Sequence, residues 1–167
     1  MDPLIREATW ADREVVAAMR RAWTEENAGK ALPDEDFQDR FDAWLEREQD
    51  QRVTWLAEVG REAVGMLNVL VFTRMPRPGQ DRPSRWAYLA NFWVRPDQRG
   101  AGVGTRLLAA CTDWCDAAGM VRVVLSPTER SVPLYARAGF TPAPSLLVRP
   151  APTGQAPRDG TITPQVG

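Results

Sequence analysis

The chain of 167 residues has the length of one domain, and it is long enough to bury a hydrophobic core. Its apolar fraction of 44% and charged fraction of 26% are ordinary for a globular protein, and a net charge of −1 gives no reason to expect nucleic acid as a partner. Histidine is absent, which excludes Ser–His and Cys–His nucleophile pairs. With only two cysteines as well, no metal centre with nitrogen or sulfur ligands is expected.

Strand and helix patterns alternate along the chain. Short apolar stretches bounded by turn residues predict strands, and apolar residues at three- and four-residue spacing predict amphipathic helices. Thr9 or Asp12 is a suitable cap for the first helix, and Pro33 lies at the start of the second. The predicted strands are 4–6, 52–58, 63–72, 86–94, 121–125 and 145–149, and the predicted helices are one ending at 27, one starting near 33, 102–118 and 130–138.

The composition changes near the C-terminus. From Pro150 onward the sequence is rich in Pro and Gly and has almost no apolar periodicity, so it cannot bury enough surface to offset the entropy lost on ordering. We therefore predict one domain over 1–149 and a flexible tail over 150–167. The N-terminus has no apolar run of signal-peptide length and no segment is apolar enough for a bilayer, so a cytoplasmic location without a membrane partner is expected.

The most informative segment joins the strand at 86–94 to the helix that follows. Its turn holds glycines at 100, 102 and 104, which leave the backbone N–H groups uncovered by side chains. The first N–H groups of a helix have no partner within it, and the helix dipole adds partial positive charge there. Arg99 adds a fixed charge with forked donor geometry. Together these features indicate a binding site for a phosphate group.

Two common phosphate-binding motifs do not fit this turn. A P-loop needs a lysine between its last glycine and the following Ser or Thr, whereas Thr105 follows Gly104 directly. A dinucleotide-binding turn needs Gly-x-Gly-x-x-Gly and an acid at the end of the next strand, where this chain has Ser126. The spacing of the glycines therefore points to another class of phosphate ligand.

A third motif matches. Arg99-x-x-Gly102-x-Gly104 resembles the pyrophosphate-binding signature of the GNAT superfamily of N-acetyltransferases, which use acetyl-CoA. The preceding Val94-x-Pro96-x-x-Arg99 is the strand exit typical of that family. About thirty residues later, Leu134-Tyr135-Ala-Arg-Ala-Gly139-Phe140 matches its Leu-Tyr-x-x-x-Gly-Phe element. The resemblance covers about residues 4–149.

The resemblance implies both a fold and an activity. The implied fold is α/β (α+β), with a mixed, mostly antiparallel sheet of six to seven strands flanked by about four helices. The implied activity is direct transfer of an acetyl group from acetyl-CoA, bound as co-substrate without a metal, to an amine of a small molecule or peptide. Family members often pair through their last strands, so a homodimer is one expected assembly.

The resemblance also implies which residues hold the co-substrate. In the family the strand before the glycine turn is bulged, and its exposed backbone pairs with the pantetheine arm. Thr128 stands where many members have an asparagine that contacts pantetheine. The expected co-substrate-binding residues are Phe92, Trp93, Val94, Arg99, Gly100, Ala101, Gly102, Val103, Gly104, Thr105 and Thr128.

Three residues are candidates for catalysis. Tyr135 aligns with the family tyrosine that protonates the departing thiolate. Asn91 stands in the region where some members keep a glutamate base, and it could orient the amine or a water. Glu129 is a candidate base, although an acid at a helix start is also a common structural feature.

Acids of the first two helices offer a further way to attract a cationic amine, but runs of acids are more often solvated surface. These acids are Glu25, Glu26, Asp34, Glu35 and Asp36.

Two other functions stay open at this point. Because no obvious base is present, the chain could be a catalytically silent CoA-binding sensor with the same fold, although a pure binder has no need for Tyr135. A phosphate-binding interaction module with another ligand is the third option.

Overall fold

The computed structural model describes residues 2–150. Apart from Pro150, the predicted flexible tail lies outside these residues. The chain divides after Leu125 into two compact units. The predicted single domain over 1–149 stays a prediction.

The first unit contains one sheet and three helices of more than ten residues. Strands β1 to β5 are Leu4–Glu7, Arg52–Val59, Glu62–Thr73, Arg85–Val94 and Val123–Val124. Helices α1 to α3 are Arg13–Ala28, Phe37–Glu48 and Val103–Ala117, with 3₁₀ turns at Trp10–Asp12, Gln49–Gln51 and Pro96–Gln98. The second unit contains a 3₁₀ turn at Glu129–Ser131 and helix α4, Val132–Arg137.

The strands lie in the order β1-β2-β3-β4-β5, so neighbours in the sheet are also neighbours in the sequence. The first four are antiparallel to one another, and β5 is parallel to β4. This mixed, mostly antiparallel sheet confirms the predicted α/β (α+β) fold class. The described residues contain five strands rather than the predicted six to seven.

The predicted strand at 145–149 is wrong. No strand forms there, and the segment begins with a turn in which the Leu146 N–H donates to the Ala143 carbonyl at 3.1 Å. Prolines at 142, 144 and 150 remove backbone donors on both sides of the run, and no strand of residues 2–150 lies beside it as a partner. The side chain of Leu147 is accordingly 97% exposed.

The second helix begins later than predicted. It starts at Phe37 rather than near Pro33. The Arg21 guanidinium donates to the carbonyls of Leu32 and Asp34 at 2.8 and 2.7 Å. Because these two carbonyls accept from a side chain of α1 and not from a helical N–H, the segment before Phe37 is a connection and not a helical turn.

Helices cover both faces of the sheet. Met66 of β3 packs with Met19 of α1 and with Trp93 of β4. Gly65 precedes Met66 and therefore faces the other side of the sheet, where it lies under Leu107 of α3. The side of α3 that faces the sheet is buried: Val103, Leu107, Leu108, Cys111 and Cys115.

Gly65 sets how closely α3 approaches the sheet. A Cβ at this position would lie 3.1 Å from Leu107 Cδ1, 3.2 Å from the Trp93 carbonyl oxygen and 3.3 Å from Val94 Cγ2. Two of these three atoms belong to the end of β4, and the third belongs to the helix that starts just after it. The close packing at Gly65 therefore fixes the start of α3 relative to the end of β4.

Replacing Gly65 with alanine is expected to lower the free energy of unfolding by about 1–3 kcal/mol, because the added methyl group overpacks a site with no free volume. Urea unfolding followed by circular dichroism measures this change. The double variant Gly65→Ala/Leu107→Ala should lose less than the sum of the two single losses, since one of the crowded contacts is gone. An unchanged unfolding midpoint for Gly65→Ala would contradict the proposed packing constraint.

Candidate functional site

A β-bulge interrupts the pairing of β3 with β4. Asn68 lies opposite Asn91, whereas Val69 lies opposite Leu89, so Ala90 is an extra residue on β4. An extra residue bends a strand and increases its local twist. The second half of β4 is thus turned away from the direction of its first half.

The edge of β4 beyond the bulge has no strand partner in the part of the chain that the structure describes. Strand β5 pairs only with Ala87 and Tyr88, and the Ala87 N–H donates to the Arg122 carbonyl at 3.1 Å. Strand pairing on this side of β4 therefore ends at Tyr88, before the bulge. A sheet edge without a strand partner can bind an extended ligand as an additional strand.

The turn after β4 needs glycine at two positions. After Val94 the chain makes a 3₁₀ turn and then passes through Gly100 and Gly102, whose φ angles are 81° and 82°. These angles are left-handed, and residues with a Cβ rarely adopt them. Gly102 is followed directly by Val103, the first residue of α3.

The N-terminus of α3 can bind an anion. The first N–H that bonds back to the turn is that of Arg106, which donates to the Gly102 carbonyl at 3.1 Å. The three preceding N–H groups, those of Val103, Gly104 and Thr105, therefore have no partner within the helix. Gly102 has no side chain to cap them, and the first turn contains no acidic residue. Backbone donors and the helix dipole thus combine at one exposed point.

Arg99 is held by three hydrogen bonds. Its Nε donates to the Val94 carbonyl at 2.8 Å, and its two terminal nitrogens donate to the carboxylate of Glu26 at 2.7 and 2.8 Å. Glu26 Oε2 also accepts from the ring N–H of Trp93 at 2.8 Å. The charge of Arg99 is therefore matched by the carboxylate of Glu26.

A second ion pair braces the same turn. The Arg95 guanidinium donates to both carboxylate oxygens of Asp97, at 2.6 and 3.0 Å, and also to Glu62 of β3. The hydrogen bond from Arg95 holds the pKa of Asp97 below its ordinary value. Because these groups are exposed, solvent screens the pair, and its contribution is to orient the turn more than to stabilise the fold.

Asn91 lies beside a buried polar network. Its cross-strand partner Asn68 is 6% exposed, and the side chains of a directly paired position share one face of the sheet. The Asn68 amide donates to Thr54 Oγ1 at 2.7 Å and accepts from Arg52 at 2.9 Å. Arg52 in turn lies over the ring of Trp44 at 4.8 Å. This face of the sheet next to the bulge is polar and contains no carboxylate on β4.

The second unit holds the other three predicted site residues. The Thr128 N–H and Ser131 Oγ are 2.9 Å apart in a capping arrangement around the turn that contains Glu129. Tyr135 is buried, and its ring packs edge-on against Phe140 at a centroid distance of 5.6 Å. Thr128 thus has a structural role in capping this turn.

The structure brings some predicted residues together in one unit. Asn91 to Val94 and Arg99 to Thr105 follow one another around the bulge, the end of β4 and the start of α3. From the sequence, Glu26 is one of five acids that could attract a cationic amine or lie on the solvated surface, and no link to Arg99 is predicted. Its partner Arg99 is 73 positions away, so no spacing pattern in the sequence links the two. Gly65 and Arg52 were missed for the same reason.

Residues 2–150 contain no group of three or more His, Cys, Asp or Glu side chains that could hold a metal ion. None of the helices described here has both the length and the apolar character that a membrane-spanning helix requires.

Solved structures share this fold. A GCN5-related N-acetyltransferase from Ralstonia eutropha is 28% identical with a TM-score of 0.69, covering 89% of this chain and 98% of that one. A predicted acetyltransferase from Clostridium acetobutylicum, solved with acetyl-CoA, is 17% identical with a TM-score of 0.70, covering 89% of this chain and 96% of that one. The glucosamine-6-phosphate N-acetyltransferase of Arabidopsis thaliana is 16% identical with a TM-score of 0.66, covering 89% and 98%.

A search of curated proteins finds none that matches the sequence. A model of the acetyltransferase (GNAT) family matches residues 15–140. The matched region includes the bulged strand, the glycine turn and Tyr135. Because the match covers most of the sequence, the chain belongs to the acetyltransferase (GNAT) family.

Proposed function

We propose that the chain transfers an acetyl group from acetyl-CoA to an amine. The observation that carries this proposal is that two features follow one another along the chain. Strand pairing on one side of β4 ends before the bulge, and α3 begins after the glycine turn without a capping side chain. The first suits the extended pantetheine arm of CoA, and the second suits its diphosphate. The likeness to the acetyltransferase solved with acetyl-CoA supports the same ligand.

The binding roles follow from these two features. The backbone of Phe92 and Val94 pairs with the pantetheine arm, and Trp93, whose carbonyl faces Gly65 of β3, lies between them. The segment Gly100–Thr105 surrounds the diphosphate with backbone N–H groups, while the Val103 side chain, which is 2% exposed, stays in the core. Arg99 supports this segment from the side of α1. Thr128 takes the place of the family asparagine toward pantetheine.

The reaction requires one bond to form and one to break. The neutral amine nitrogen attacks the thioester carbonyl carbon, the C–S bond breaks, and the amine proton is lost. The departing thiolate takes a proton from the Tyr135 hydroxyl, since a phenol with a pKa near 10 is a suitable acid for an alkyl thiolate. The phenolate regains a proton from solvent, which receives the proton lost by the amine. A main-chain N–H of the bulged strand polarises the acetyl oxygen.

The amine proton leaves without a carboxylate on β4. Asn91 cannot accept a proton at neutral pH, so its role is to orient the amine or a water molecule. Glu129 is the candidate base of the second unit, and it is exposed to solvent. A water relay is the alternative route for this proton.

The acceptor is an amine of a small molecule or a peptide, and the cytoplasm and a homodimer are the proposed location and assembly. A chain that binds acetyl-CoA without turnover would instead be a CoA-binding sensor. Release of free CoA thiol in the presence of an amine panel separates these two functions, because only an enzyme produces thiol in proportion to the amine consumed.

Tyr135→Phe is expected to lower the rate of thiol release about 100-fold or more while acetyl-CoA affinity stays within about twofold, because only the proton donor is removed. Steady-state kinetics with the best amine of the panel and calorimetric titration measure the two quantities. Tyr88→Phe removes the other phenol of the chain and serves as the control. Equal rates for wild type and Tyr135→Phe would show that Tyr135 is not the acid.

Thr105→Asp is expected to weaken acetyl-CoA binding about tenfold or more, because a carboxylate in the first turn of α3 repels the diphosphate. The same carboxylate interacts favourably with the helix dipole, so the free energy of unfolding should stay equal or rise by about 0.3–1 kcal/mol. Calorimetric titration and urea unfolding measure the two effects. Weaker binding together with an equal or higher free energy of unfolding shows that the variant lost the binding site and kept its fold.

Ala109→Asp is the matched control for this change. Ala109 is exposed and lies one turn further along α3, so the variant has the same net charge but leaves the helix N-terminus unchanged. We expect its acetyl-CoA affinity to stay within about threefold of the wild-type value. Equal losses in both variants would contradict binding of the diphosphate at the start of α3.

A further inference from the structure

We infer that Glu26 is a positioning residue for the co-substrate site: it orients Arg99 and thereby holds the glycine turn in its binding conformation. This inference rests on the proposed binding of acetyl-CoA at that turn. In this role Arg99 acts through its hydrogen bonds to the protein, and the diphosphate is bound by the backbone N–H groups of α3.

Glu26 connects three separate elements. It lies in the last turn of α1, its carboxylate accepts from both terminal nitrogens of Arg99, and one of its oxygens accepts from the Trp93 ring. Arg99 completes the connection by donating its Nε–H to the Val94 carbonyl at the end of β4. A helix end, a strand end and the turn before α3 are thus joined through one carboxylate.

The local environment in α1 does not favour an acid at this position. The C-terminus of a helix carries partial negative charge, so a carboxylate in the last turn is destabilising. The last turn of α1 contains no basic residue that would offset this effect. Glu26 accepts hydrogen bonds from the distant residues Arg99 and Trp93, whereas Glu25 pairs with Arg21 and accepts from the Leu32 N–H, both close to it in sequence.

The hydrogen bonds of Arg99 fix the position of its guanidinium and leave little of its charge for a ligand phosphate. The two terminal nitrogens of Arg99 donate to Glu26 and its Nε donates to the Val94 carbonyl, so the planar guanidinium is fixed in two directions. A bidentate ion pair leaves little net charge for a further anion. The turn that follows contains Gly100 and Gly102, whose permissive backbones need an external restraint to keep one conformation.

Two roles of Glu26 predict opposite effects of its removal. If Glu26 orients the turn, Glu26→Gln weakens acetyl-CoA binding, because glutamine keeps only one acceptor oxygen, places an N–H donor against at least one donor of Arg99 or Trp93, and carries no charge to match Arg99. If Arg99 instead binds phosphate directly and Glu26 competes for it, Glu26→Gln frees the guanidinium and strengthens binding. The direction of the change therefore identifies the role.

The experiment is calorimetric titration of wild type, Glu26→Gln and Glu25→Gln with acetyl-CoA. Glu25 is adjacent on the same helix and its side chain is 30% exposed, against 34% for Glu26, so its variant removes the same charge without touching the turn. We expect Glu26→Gln to bind about tenfold more weakly and Glu25→Gln to stay within about twofold of wild type. Thermal unfolding of each variant confirms that the fold is retained.

Three results would overturn the inference. They are unchanged affinity in Glu26→Gln, tighter binding in Glu26→Gln, and equal weakening in Glu25→Gln. Failure of the wild-type chain to bind acetyl-CoA is a distinct result, since it would overturn the proposed function and this inference together.

Two further variants test whether these residues act as one unit. Trp93→Phe keeps an aromatic ring and removes only the N–H donor. We expect it to weaken acetyl-CoA binding about two- to threefold. Arg99→Gln and the double variant Glu26→Gln/Arg99→Gln should have the same affinity, because residues that act through one another are not additive. A double variant that binds more weakly than Arg99→Gln alone would contradict the proposed connection.

Discussion

The site depends on where α3 begins. Three backbone N–H groups have no helical partner at its first turn. They lie next to the end of β4 because Gly65 lets Leu107 pack closely: a Cβ there would lie 3.1 Å from Leu107 Cδ1, tighter than nearly all such contacts. Gly102 then supplies the left-handed residue that starts the helix without a capping side chain. A glycine inside a strand and an uncapped helix end are both unfavourable by ordinary stability rules, and such departures are expected where a site has a function.

The sequence predicted most of this arrangement because its signals are local. The glycines at 100 and 102 indicated left-handed backbone, and the strand before them and the helix after them follow from periodicity within a few residues. The features that sequence reasoning missed are long-range. Asn68 and Arg52 meet across two strands, and Glu26 reaches Arg99 across 73 positions, so their pairing exists only once the sheet and α1 are packed.

The wrongly predicted strand at 145–149 shows that a local apolar pattern is not sufficient for a strand. Its apolar residues favour a strand, but a strand also needs backbone donors and a neighbouring strand, and the flanking prolines remove donors on both sides. The catalytic assignments are less constrained still. Tyr135 is supported by a sequence element that extends from Leu134 to Phe140, whereas Asn91 and Glu129 each rest on position alone, so the route of the amine proton is the open part of the mechanism.

Binding of acetyl-CoA by the backbone of α3 is the central claim, and amide-resolved NMR tests it most directly. Titration of ¹⁵N-labelled chain with acetyl-CoA should produce saturable shifts of the Val103, Gly104 and Thr105 amide signals with one binding isotherm. The amides of β1, on the far edge of the sheet, should stay unchanged. If these three signals do not move while the chain is folded, or if they move no more than those of β1, the account of the site is wrong.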